Sequence, residues 1–75
     1  MNPELLRLIE AFDALRQPTH PEEHARRLAS YETLLIESLE KRPNVSRQSL
    51  EGVVRLAHRQ WLDAEDKLLR KRLTT

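Results

Sequence analysis

The chain contains no cysteine, which excludes disulfides, thiolate metal sites and cysteine nucleophiles together. It has one glycine and one each of phenylalanine, tyrosine and tryptophan. A β-rich protein draws on aromatic and β-branched residues for strands and on glycine for turns, so that class is set aside. No apolar run approaches the roughly 20 residues that a membrane-spanning helix needs. The opening residues Met1, Asn2, Pro3 and Glu4 form no basic segment ahead of an apolar block. No secretory signal is therefore expected, and the expected location is cytoplasmic.

What remains is Leu, Arg, Glu and Ala, with 33% charged residues and a net charge of +1. At 75 residues the chain is one expected helical domain, and a domain this small buries only about 60% of its unfolded surface. Without disulfides, the remedies are dense helix packing and oligomerisation. The charge is unevenly spread. Acids slightly outnumber bases as far as residue 45, whereas Lys67, Arg70, Lys71 and Arg72 crowd the end of the chain.

Prolines punctuate three helical segments, expected at about 3–16, 21–42 and 46–72. Asn2 and Pro3 suit an N-cap and first helical position, and Leu5, Leu8, Ile9, Phe12 and Leu15 recur at helical spacing. Pro18 ends this segment. Thr19 and Glu22 have capping-box spacing for the second helix, which stops before Pro43. Ser46 is the expected third cap, with Val45 and Leu50 as a hydrophobic staple.

Along the third segment, Leu50, Val54, Ala57, Trp61, Ala64 and Leu68 form a heptad seam of coiled-coil type. Ala25, Leu28, Glu32, Leu35 and Leu39 match it on the second. Folding the chain about the turn sets Leu39 on Leu50, Leu35 on Val54, Glu32 on Ala57, Leu28 on Trp61 and Ala25 on Ala64. The expected architecture is all-α, a short N-terminal helix packed on a long antiparallel helical hairpin. A tight turn at Pro18 would set Phe12 in the Ala25/Ala64 layer, with Met1 reaching the level of Ile36. Leu35, Ile36, Leu39, Leu50, Val53 and Val54 would then be poorly covered, and exposed apolar patches of this kind mark interfaces. They are the expected self-association surface of a homodimer.

Few residues suggest chemistry. Glu32 interrupts an apolar stripe and His58 lies at the seam's edge, so the two are expected as a buried polar seam. His20, Glu23 and His24 spell the H-x-x-E-H string of one zinc-peptidase class. That chemistry needs both histidines on one helical face, and His20 precedes a proline that keeps it out of the helix. No Glu-x-x-His pair offers a bundle metal site, and no Ser-His-Asp set or glycine-rich phosphate loop is present. Neither an enzyme nor a cofactor is expected. Gly52 falls on the polar face of the third helix without evident purpose.

Two functional expectations follow. The first is a small helical protein-interaction module, a homodimer serving as adaptor or regulator, with a further protein partner that the residues do not identify. The alternative is a nucleic-acid-binding regulator (RNA or DNA) using Lys67, Arg70, Lys71 and Arg72. No membrane partner is expected.

Overall fold

Capping chemistry decides where each helix begins. In the computed structural model, which describes residues 2–73, α1 spans Pro3–Arg16, α2 Pro21–Lys41 and α3 Arg47–Leu73. No strand occurs among the described residues. Asn2 caps α1, its Oδ1 accepting from the Glu4 N–H at 2.8 Å, with Pro3 at the first helical position. Ser46 caps α3, its Oγ accepting from the Ser49 N–H at 3.1 Å. The cap of α2 is His20 rather than Thr19. Its Nδ1 accepts from the Glu22 N–H at 3.4 Å while its backbone stays extended. An acceptor nitrogen placed one residue before Pro21 serves the orphan donors better than a hydroxyl one residue earlier.

The helix α1 packs on both other helices, as expected, but in a different register. A tight turn would place Phe12 beside Ala25. Instead Phe12 lies 5.9 Å, ring to ring, from Tyr31. That is six residues further along α2, or about 9 Å at 1.5 Å per residue. Arg27 agrees, donating to the Ala14 carbonyl at 2.9 Å. The cause is the connection at residues 17–20. Gln17 and His20 are both extended, so the linker runs back along the first turns of α2 before that helix starts. The helix α1 is thereby carried towards the α2–α3 turn. Leu8 packs with Tyr31, Leu35, Leu50 and Val54 in the core, flanked by Leu5, Phe12, Leu15 and Leu39.

This shift corrects the expected cover of the hairpin. Leu35 and Val54 are completely buried and Leu50 nearly so, because α1 reaches the end it was expected to leave open. The corresponding cost appears at the other end. Phe12 stands between α2 and α3, its ring centre 5.0 Å from that of His58 in a T-shaped contact, and holds the two arms apart. The expected seam therefore does not close along its length. Leu28 is 44% exposed, Ala25, Ala64 and Leu68 are also exposed, and Trp61 is half-buried. Arg47, which a continuous seam would set near Arg42, pairs with Glu32 instead. Met1, expected to reach Ile36, lies outside the described residues.

The result is a splayed, flat molecule of 46 × 32 × 18 Å. Its radius of gyration is 14.4 Å, against about 11 Å for a compact domain of this length.

Candidate protein interface

Three places on this frame carry polar or apolar groups that the fold alone does not account for. The first is the turn end. Leu5, Leu8, Val45, Leu50 and Val53 line an apolar hollow of about 400 Å³. Glu4 and Arg42 lie at its edge, joined by two hydrogen bonds of 3.0 and 3.1 Å from the guanidinium to the two carboxylate oxygens. Buried Ser38 donates to the same carboxylate at 2.7 Å. The hydrogen bonds from Arg42, then that from Ser38, hold the Glu4 carboxyl at about 2, below its ordinary 4.5. This cluster ties the first turn of α1 to the last turn of α2.

The residues expected for self-association divide here. Leu35, Leu50 and Val54 are interior to a single chain. Leu39 is partly covered against the core, while Ile36 and Val53 stand exposed. Only the last two are available to a partner without opening the fold.

The second place is His58, 3% exposed. Its partner is Asp13, not Glu32: Nε2 lies 2.9 Å from the Asp13 carboxylate. An ionised carboxylate only accepts, so Nε2 carries the proton. Phe12 meets the ring in a T-shaped contact, and the Trp61 ring lies 6.0 Å away, centre to centre. The imidazole is thus engaged and enclosed by aromatic rings, and the pair fastens α1 to α3. Glu32 lies at the edge of the packing, where Arg47 compensates its charge; Arg47 also holds Glu51 at 2.9 Å. The expected buried Glu32–His58 seam is therefore corrected to two separate contacts, a Glu32–Arg47 ion pair and a His58–Asp13 hydrogen bond. Nearby, burial pushes the Tyr31 phenol above its usual range.

Sequence reasoning missed Asp13 and the Glu4–Ser38–Arg42 cluster. Asp13 stands one residue from Phe12 on the flank of the apolar stripe, a signal usable only once the register of α1 is known.

The third place is the far half of α3. Arg16, the last residue of α1, lies level with Leu62 and Asp63 across a shallow hollow. Beyond that level α3 continues without α1 beside it, and residues 62–73 are all exposed. This overhang, about 18 Å long, carries Leu62, Leu68, Leu69 and Leu73, the last 79% exposed. Lys67, Arg70, Lys71 and Arg72 lie here too, and Arg70 pairs with Asp66 at 3.2 Å.

Among the described residues no group of three or more His, Asp or Glu side chains is arranged to hold a metal ion. His20 stands outside the helix that carries His24, so the H-x-x-E-H string does not converge. No described helix is long and apolar enough to cross a membrane. No protein family, curated protein or solved structure matches this chain.

Proposed function

We propose that the protein is a helical protein-interaction module that works as a homodimer, in an adaptor or regulatory role. One observation carries this reading. The chain exposes 5977 Å², whereas a compact monomer of its mass exposes about 4,800 Å². The excess exceeds the roughly 800 Å² that each partner contributes to a standard interface. Ile36, Val53, Leu68, Leu69 and Leu73 are among the large apolar side chains left exposed. Large exposed apolar surface on a small soluble chain is the mark of an association surface.

The test is molar mass by light scattering from micromolar to near-millimolar protein. The expected result is a rise from 8.9 kDa towards twice that mass. A mass that stays at the monomer value throughout removes the homodimer.

The exposure of Lys67, Arg70, Lys71 and Arg72 on the overhang favours a second reading, contact with nucleic acid. The same stretch holds Asp63, Glu65 and Asp66, which leaves it close to neutral. If nucleic acid is the ligand, binding must weaken steeply with salt and with charge removal at Arg70, Lys71 and Arg72. Salt-insensitive or absent binding rejects it.

A further inference from the structure

On a 3.6-residue helix, Leu62, Glu65, Leu68, Leu69, Arg72 and Leu73 share one face, within less than half the circumference. This face continues the stripe that α3 buries through Val54, Ala57 and His58. Where α1 stops, the stripe runs on without a neighbouring helix to cover it. Two charged residues, Glu65 and Arg72, fall inside it, seven positions apart.

From this we infer that the overhang of α3 pairs antiparallel with the same segment of a second copy. The inference rests on the homodimer reading above and specifies its surface. The charges choose the occupant and its direction. An antiparallel pairing centred between Leu68 and Leu69 sets Leu68 of one copy on Leu69 of the other. Glu65 then meets Arg72, a contact made twice by the two-fold symmetry. A parallel pairing would set Glu65 against Glu65 and Arg72 against Arg72, which like-charge repulsion disfavours. One polar pair within an apolar seam is the usual way for helices to fix orientation at some cost in stability. The surplus surface noted above gives a second copy the area that such contact requires.

The full-length chain tests this with charge exchange. Glu65→Arg puts two cations in the seam of its own homodimer, and Arg72→Glu puts in two anions. Each variant alone is expected to weaken dimerisation at least tenfold by light scattering. An equimolar mixture of the two, and the double variant in one chain, should recover it, because both restore opposite charges across the seam. Both positions lie outside the core, so helicity by circular dichroism should match the parent. Introduced thiols give an independent readout in a chain without cysteine. Mixed Glu65→Cys and Arg72→Cys proteins should oxidise mainly to the 65–72 cross-link. If both single charge variants dimerise like the parent, or if 65–65 and 72–72 cross-links dominate, the antiparallel overhang is wrong while the homodimer stands. A parent that is monomeric at every concentration overturns both.

Discussion

The clearest consequences at the scale of single residues come from two carboxylates on α1. The carboxyl of Glu4 is held at about 2 in the folded chain against an ordinary 4.5. Because the folded value is the lower one, its contribution is fully present above pH about 4.5 and is lost as pH falls through about 2. The parent and Glu4→Gln should therefore differ in urea midpoint at pH 7 and converge near pH 2. Midpoints that remain apart at pH 2 would assign the difference to packing instead of charge. Asp13 acts differently, because its partner is enclosed. Removing the carboxylate by Asp13→Ala leaves the His58 Nε2–H buried without an acceptor, at a cost of about 1–3 kcal/mol. Urea unfolding of Asp13→Ala measures it, and a change within a few tenths of a kcal/mol would mean that water takes over the bond.

Among the elements, the splay of α2 from α3 makes unlike predictions for residues that share one sequence pattern. Leu28 and Leu35 stand seven apart on the same stripe, yet Leu28 is 44% exposed and Leu35 is fully buried. Leu35→Ala should cost about 2–5 kcal/mol, enough to unfold much of a domain this small, whereas Leu28→Ala should cost under about 1 kcal/mol. Equal losses would indicate that the arms close in solution. Gly52 lies mid-helix with nothing within 4 Å of where a Cβ would stand, and its backbone angle is ordinary. Gly52→Ala should therefore stabilise the fold by about 1 kcal/mol, read as a higher thermal midpoint. Destabilisation would mean that a partner approaches the backbone there.

Helix number, type and limits were legible because prolines, the Asn2 and Ser46 caps and the 3–4 spacing of leucines are local signals. Register was not, because it depends on the path of residues 17–20. Pro18 and Pro21 mark a break but do not state how far an extended linker travels before the next helix begins. The same blindness hid the candidate site. The partners in Glu4–Arg42 and Asp13–His58 lie 38 and 45 residues apart, and only a correct register brings them together. Seam spacing showed which face of α3 is apolar, but not where its cover runs out.

For the molecule as a whole, an open frame makes stability and association one quantity. If the overhangs pair, the thermal midpoint should climb by several degrees between micromolar and near-millimolar protein, since mass action favours the associated native state. A midpoint independent of concentration would separate folding from assembly. Salt should move this association only modestly, because Glu65 and Arg72 would be shielded in the seam.

The place of α1 between the arms also sets an order of events during synthesis. It emerges before α2 and α3, yet its fastening to His58 spans 45 residues of chain. Leu8 and Phe12 cannot find their full set of neighbours until nearly half of α3 has been made. Contacts so remote in sequence slow the search for the native state, and a chain paused before His58 presents an unfinished apolar face to its surroundings. The first of the three helices to be translated is thus the last to be secured.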